Sequence, residues 1–443
     1  MNTITIDHLF NNDVRSFSVY ANQRSIPHIL DGLKPSQRKA LYVLIKRSSS
    51  IPETGIKVSQ LAAAVAEQSH YHHGEASLEA TIVGLAQDYT GSNNLNYFVP
   101  LGQFGNRLSP TASAGRYIYT KPSPVLRKMF MPDDDLILEH LDEDGDIIEP
   151  KFYLPILPNI LINGSEGMGT GFATKILTYN PNDLKEAVLA ILTKQNVKRL
   201  IPWFKGFTGK VEALSEKQYQ IFGSFKREGA TTIHVTELPV GVYLDQYKEH
   251  LNKLIESGFI KDYDSHSTDT KFHFKLTCPK SALQESDDSL MSKLKLVSKV
   301  SENLTVWITD NDTNKIKAFK DANELLEYFV SVRLPYYEKR RLALITQLNH
   351  DLEILEEKSK FIEYYLENSI AISKMKKTEL YKTLESNGFK NIEVLLSIKI
   401  YNLTLEAIET LNKSIKKTLK EIKSLESTNA TKMYIDDLTN FSI

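Results

Sequence analysis

Cysteine is almost missing from this sequence: Cys278 is the only one in 443 residues. A single thiol excludes an intrachain disulfide and any cysteine-rich zinc site, so neither dithiol redox chemistry nor a zinc finger is available. Long apolar runs are absent too, since none reaches about 18 residues without a proline or a charge, which removes a spanning helix from consideration. The opening Met-Asn-Thr-Ile-Thr-Ile-Asp carries neither a basic region nor an apolar stretch of the kind that marks export, and a cytoplasmic location is expected. Repeats and low-complexity tracts are also lacking, and net charge is nearly so, at −1.

What is present is a chain too long for one core, expected to form two to four domains. The near-zero charge hides an asymmetry. Residues 1–130 hold 13 Lys and Arg against 8 Asp and Glu, a surplus of five, and the remaining residues hold 41 against 47, a deficit of six. Residues 131–150 then supply nine acids and no Lys or Arg, closing the basic region abruptly. A basic N-terminal third permits polyanion binding without proving it.

Periodicity predicts the elements. Asp31-Gly-Leu-Lys-Pro-Ser-Gln-Arg-Lys-Ala-Leu-Tyr42 reads as a helix start with Pro35 near the first position and one apolar and one basic face. Two short helices are predicted near 58–68 and 75–88, joined by Ser69-His-Tyr-His-His-Gly74, with a strand over Asn96–Leu101 after them: a helix-turn-helix followed by a wing. From about 150 to 320 the texture is α+β. From Glu338 and again from Leu405, leucines and isoleucines recur at three- and four-residue steps, predicting two long antiparallel helices with a small globule, roughly 368–403, between them. The expected fold class is therefore multidomain α+β, divided into residues 1–155, 156–320 and 321–443.

Chemistry centres on Ala114-Gly-Arg-Tyr-Ile-Tyr-Thr-Lys-Pro-Ser123. A tyrosine oxygen that attacks a phosphodiester forms a phosphotyrosyl ester close in energy to the bond it replaces, so the break is stored and resealed without an external energy source. The transferring phosphoryl group needs cations, and Arg116 adjoins Tyr117. In isolation, Tyr117, Ile118 and Tyr119 read as ordinary strand residues, with both rings packed or half exposed.

The order of motifs decides between these readings. Asp31-Gly-Leu-Lys-Pro35, Gln37-Arg-Lys-Ala-Leu-Tyr42, Tyr71-His-His-Gly-Glu75, Gly102-Gln-Phe-Gly105, Arg116-Tyr-Ile-Tyr-Thr120, Leu154-Pro-Ile-Leu-Pro158 and Asn163-Gly-Ser-Glu-Gly-Met-Gly-Thr-Gly171 resemble the breakage-reunion region of type IIA DNA topoisomerases, in order and spacing. Trp203–Gly209, Thr236–Pro239 and Val332–Tyr337 extend the likeness across most of the chain. The pattern is closer to the eukaryotic style than to bacterial gyrase, and the size resembles the bacteriophage branch with separate subunits.

That resemblance implies a winged-helix DNA-binding domain, an α+β tower domain and a long antiparallel coiled coil ending in a helical dimerisation globule. It assigns the nucleophile to Tyr117 and a structural place to Tyr119. Arg116 and His73 would stabilise the scissile phosphate, joined by Arg24, expected from across a dimer. Lys34, with Arg38 and Lys39 on the same basic segment, would hold the DNA backbone, and Met168 stands where the family commonly has a base-pair wedge. The resemblance further implies double-stranded DNA as substrate, a homodimer, and Mg²⁺ and ATP held by a partner subunit carrying the magnesium-binding module and the ATPase.

Other readings compete with this one. A non-catalytic architectural DNA binder would share the basic third and the long helices. The glycines at 164, 167, 169 and 171 imitate a nucleotide loop but lack the Walker Lys-Ser/Thr. Asp142-Glu-Asp-Gly-Asp146 fits no calcium-loop spacing and reads as a solvated acidic turn. A tyrosine recombinase would place its nucleophile near the C-terminus.

Overall fold

The computed structural model describes residues 6–310, 313–372 and 375–442. Residues 1–5, part of the opening stretch, and residues 373 and 374 of the expected insert lie outside the described residues. The chain divides into two compact units, one formed by Met1–Asp134, Leu138–Arg333 and Asp437–Ile443, the other by Asp135–Ile137 and Leu334–Asp436.

In the first unit, helix α1 (Arg15–Ser25) leads into α2 (Pro35–Arg47), α3 (Val58–Gln68) and α4 (Glu75–Ala86). Pro35 occupies the first turn of α2, where its missing N–H costs nothing, and the Gln37 side chain accepts from the Lys34 backbone N–H at 2.9 Å, closing the helix start. Leu41, Leu44, Leu61, Val65, Leu78 and Ile82 bury the facing stripes of α2, α3 and α4. Three antiparallel strands complete this domain: β1 (Ile56–Lys57), β2 (Phe98–Leu101) and β3 (Tyr119–Pro122), in the order β1-β3-β2. This is the expected winged helix, with α4 as its second helix and β3 at the centre of the wing.

Two hairpins follow. One pairs β4 (His140–Glu143) with β5 (Asp146–Pro150) around a turn in which Asp144 and Gly145 take positive φ; the other pairs β6 (Ser165–Met168) with β7 (Ala173–Ile176). The middle section contains a four-stranded antiparallel sheet whose Ile233, Val235, Phe274 and Leu276 pack with Tyr247 and Leu251 of helix Leu244–Glu256. A second sheet of three strands and a two-stranded ribbon, Leu304–Asp310 with Thr313–Phe319, complete the α+β part.

The second unit is helical. A helix over Ala322–Ile372 enters it and a helix over Leu405–Ser427 returns antiparallel, so that Arg341 donates to the Leu425 carbonyl, and Tyr434 of the following helix, Ala430–Asn440, stacks on Tyr337 at 4.3 Å. The first of these helices begins well before the expected Glu338 and runs through Pro335. Packing of Leu325, Leu326, Phe329 and Val330 outweighs the one hydrogen bond that the proline removes. Asn368 breaks the helical dihedrals at the edge of the expected insert, its side chain donating to the Tyr364 carbonyl. The insert forms a small core from Phe361, Leu384, Phe389, Ile392 and Leu395. The architecture is multidomain α+β as expected: a winged helix, an α+β section, and long antiparallel helices bearing a helical globule.

Candidate nucleic-acid interface

The Asp-Gly-Leu-Lys-Pro segment is a buried junction. Asp31, fully shielded from solvent, accepts from the backbone N–H groups of Leu33 and Tyr153 at 3.0 Å each and from the Arg38 guanidinium at 2.6 and 3.1 Å. Gly32 takes φ +65°, and a Cβ there would overlap the Ile160 backbone. Arg38, expected on the exposed basic face with Lys39, is instead a buried partner of Asp31, its charge neutralising a carboxylate shielded from solvent. Lys39 is only partly exposed, its ammonium bonded to Glu149 at 2.9 Å and to the Ser69 carbonyl. Lys34 donates to the Glu166 carbonyl at 2.6 Å, and desolvation lowers its pKa. The segment thus spends much of its basicity on internal bonds.

The turn between α3 and α4 opens onto a cavity of about 290 Å³ lined by Tyr20 and Arg24 of α1, Lys39 of α2, and His70, His72 and His73 of the turn. His73 Nε2 lies 2.8 Å from the Tyr20 hydroxyl, and the Arg24 guanidinium stands 5.8 Å from the centre of the Tyr20 ring. Partial desolvation, then Arg24 and His72, lower the His73 pKa. Arg24, expected from across a dimer, already stands beside His73 within one chain. Around the rim His70 pairs with Asp146 at 3.0 Å and His72 with Glu143 at 2.6 Å. The acidic hairpin, expected to be merely solvated, therefore fastens the histidine turn.

Tyr117 closes a turn whose backbone N–H returns to the Ala114 carbonyl at 2.9 Å, immediately before β3. Its side chain is 67% exposed, with the Arg116 guanidinium 5.0 Å from its ring centre. The next residue, Ile118, is buried and Tyr119 pairs in the wing with Lys57 and Leu101. Strand pairing separates the two tyrosines: Tyr117 projects from the turn before β3, 67% exposed with a cation beside it, and Tyr119, 36% exposed, is the first residue of the strand. Gly115, before Arg116, lies so close to α4 that a Cβ would overlap the Glu79 carboxylate, which ties this turn to the second helix.

Met168 is 85% exposed at the tip of the β6–β7 hairpin, with Phe172 exposed beside it. The hairpin lies against α1: Asn22 donates to the Thr170 carbonyl at 3.1 Å, and Cβ atoms at Gly167 and Gly169 would overlap the Ser25 carbonyl and the Asn22 side chain. Close approach of α1 to the hairpin explains Gly167 and Gly169.

One chain therefore brings together Arg24, His73 and Lys39, and presents Arg116–Tyr117 and Met168 on separate exposed turns. Tyr20 and Phe172 were not singled out by the sequence; Tyr20 lies 53 residues from His73 and no local pattern links them. Among the described residues no three His, Cys, Asp or Glu side chains are grouped as a metal ion requires. The donors around His73 and Tyr117 are mainly cations and phenols, which do not fit Mg²⁺. No helix of the described residues is long and apolar enough to cross a membrane.

The fold and site therefore combine a wing bearing an Arg-backed exposed tyrosine, a helix-turn-helix and an apolar-tipped hairpin. Residues 24–440 match the family model for the A subunit of DNA gyrase/topoisomerase IV, and the chain belongs to that family. It is 38% identical over 451 residues to the mitochondrial DNA topoisomerase 2 of Dictyostelium discoideum, covering 98% of this chain and 35% of that protein. It is 34% identical over 504 residues to DNA topoisomerase 2 of Acanthamoeba polyphaga mimivirus, covering 96% and 40%. The crystal structure of the Plasmodium falciparum topoisomerase II DNA-binding, cleavage and re-ligation domain superposes with a TM-score of 0.90 at 33% identity, covering 98% of this chain and 63% of that one. The chain spans between a third and two fifths of these two curated relatives.

Proposed function

We propose that this chain is the DNA cleavage and religation subunit of an ATP-dependent type IIA topoisomerase, and that Tyr117 is its nucleophile. The observation that carries the reading is the contrast within three residues: Tyr117 exposed with a guanidinium against its ring, Ile118 buried, Tyr119 held in the strand. In the reaction the Tyr117 oxygen bonds to the phosphorus of a DNA phosphodiester as the bond to the 3′ oxygen breaks. The phenolic proton is lost and the leaving oxygen takes one up, giving a 5′-phosphotyrosyl ester and a free 3′ hydroxyl. Religation reverses these steps. Arg116, Arg24 and His73 would stabilise the scissile phosphate, Lys34 and Lys39 would face the DNA backbone, and Met168 would wedge between base pairs.

Two copies would present two tyrosines to opposite strands, with the long helices and globule joining them. Residues 1–155 then carry the nucleophile, 156–320 the tower and bending hairpin, and 321–443 the coiled coil and dimerisation gate. Mg²⁺ and ATP would be supplied by a partner subunit, as in a split enzyme like that of T-even bacteriophages, whose medium subunit this chain resembles in size. The location would then be a host cytoplasm.

The test is denaturant trapping of protein on radiolabelled supercoiled DNA, with Mg²⁺, ATP and the partner. Adducts should map by peptide sequencing to Tyr117 and disappear in Tyr117→Phe, while DNA affinity changes less than about twofold. Adducts surviving in that variant would remove Tyr117 from the role; efficient cleavage by the chain alone would refute the division between subunits.

A further inference from the structure

We propose that Tyr20 is a positioning residue, one that fixes the orientation and tautomer of His73 for phosphate binding through its hydroxyl and sets Arg24 beside it through its ring. The inference rests on the cleavage reading of Tyr117 and adds to it a residue that no motif contains. Three observations support it. The Tyr20 hydroxyl and His73 Nε2 meet at 2.8 Å in a cavity that both side chains line. The ring of Tyr71 closes on the His73 ring edge-on at 5.2 Å, so the imidazole is held between two phenols. Tyr20 is 47% exposed, and a half-solvated ring contributes little to core packing, so the bond is not explained as a by-product of burial.

The electrostatics give the bond a direction. The charged and titratable groups that line the cavity with His73 are Tyr20 and Arg24 from α1, Lys39 from α2, His70, Tyr71 and His72 on its own turn, and Glu143 from the acidic hairpin. With its pKa lowered, His73 is neutral near pH 7, and a neutral imidazole takes one donor at its bare nitrogen. The phenol O–H is assigned as the donor to Nε2, with the ring proton on Nδ1. The Nδ1–H edge is then the one that donates to a phosphate oxygen of incoming DNA, and Tyr20 keeps the ring turned that way while the phosphate is bound.

Tyr20→Phe keeps the ring and removes only the hydroxyl. Two measurements are needed. In the free protein labelled with ¹³Cε1-histidine, and with the His73 signal assigned by its loss in His73→Gln, the His73 pKa should rise in Tyr20→Phe, because the donor that favoured the neutral ring is gone. In the assembled enzyme, Tyr117 adducts should form roughly fivefold more slowly, about the size of one neutral hydrogen bond, with DNA affinity unchanged. In a His73→Ala background Tyr20→Phe should cost nothing further. An unmoved His73 pKa overturns the proposal, and so does an equal loss in the His73→Ala background, which would mean that Tyr20 touches DNA directly. If adducts in the unaltered enzyme fail to map to Tyr117, the cleavage reading falls, while the titration still decides whether Tyr20 governs His73.

Discussion

His28 makes the first unit sensitive to acid. Its ring is buried, stacked on Phe152 at 4.9 Å and nearly parallel to it, with Nε2 3.1 Å from the Thr309 hydroxyl and Nδ1 accepting from the Leu30 N–H at 3.3 Å. Burial pushes its pKa down from 6.5 to about 4, with Arg38 adding to the fall and Asp31 opposing it. Because the folded pKa lies below the unfolded one, the unfolded chain binds the extra proton. Stability is full above pH 6.5 and is lost progressively as the pH falls toward 4. About two and a half pKa units at about 1.4 kcal/mol each come to roughly 3 kcal/mol, a sizeable part of a domain's total. Trp203 and Trp307 are the only tryptophans, both fall in the first unit, and the Trp307 backbone exchanges hydrogen bonds with Pro27 and Ile29 on either side of His28. Urea unfolding followed by tryptophan fluorescence at pH 7.5, 6, 5 and 4 therefore reads this site. His28→Gln keeps a donor and an acceptor and cannot titrate, so the gap between the wild-type and variant curves should close by roughly 3 kcal/mol between pH 7.5 and 4. Parallel curves would show that the ring is not held neutral, and the burial argument would fail.

Two further changes test the junction and the hairpin. Asp31→Asn leaves the Arg38 guanidinium buried without its counter-charge and should cost roughly 3–5 kcal/mol in the same unfolding assay, part of it recovered by Arg38→Met in the same chain; an effect below about 1 kcal/mol would mean that water reaches the pair. Gly167→Ala forces the β6–β7 hairpin away from the Ser25 carbonyl, and end-labelled duplexes should show reduced bending by fluorescence transfer with binding retained, as Met168→Ala should also do. Bending that survives both changes would take the wedge away from this hairpin.

The helix-turn-helix, the wing and the long helices were legible because each rests on a local pattern: Val58–Gln68 and Glu75–Ala86 on short apolar periods, and Leu405–Ser427 on a stripe of three- and four-residue steps. The start at Ala322 was not, because Pro335 reads as a stop and only the tertiary packing of Phe329 and its neighbours overrides it. Arg38 misled for a related reason. A helix N-terminus rich in Lys and Arg looks like a DNA-facing surface until a carboxylate seven residues earlier folds back to claim one of the cations, closed over by Tyr153 from far along the chain. At the candidate site, Arg116–Tyr117 could be picked out as adjacent residues, whereas the pairings of His73 with Tyr20, and of His70 and His72 with the acidic hairpin, join segments that nothing local connects.

Helix α1 holds the Met168 hairpin through Asn22 and Ser25 and carries Tyr20 and Arg24 on the adjoining turns. In the proposed enzyme one rigid strut then bears both the load of a kinked duplex and the groups that grip its phosphate. On that proposal, DNA that yields easily at the wedge would seat its backbone in the cavity, and stiff DNA would loosen that grip. Selection of a cleavage site would then be a mechanical matter, decided by how readily a sequence flexes rather than by the edges of its bases.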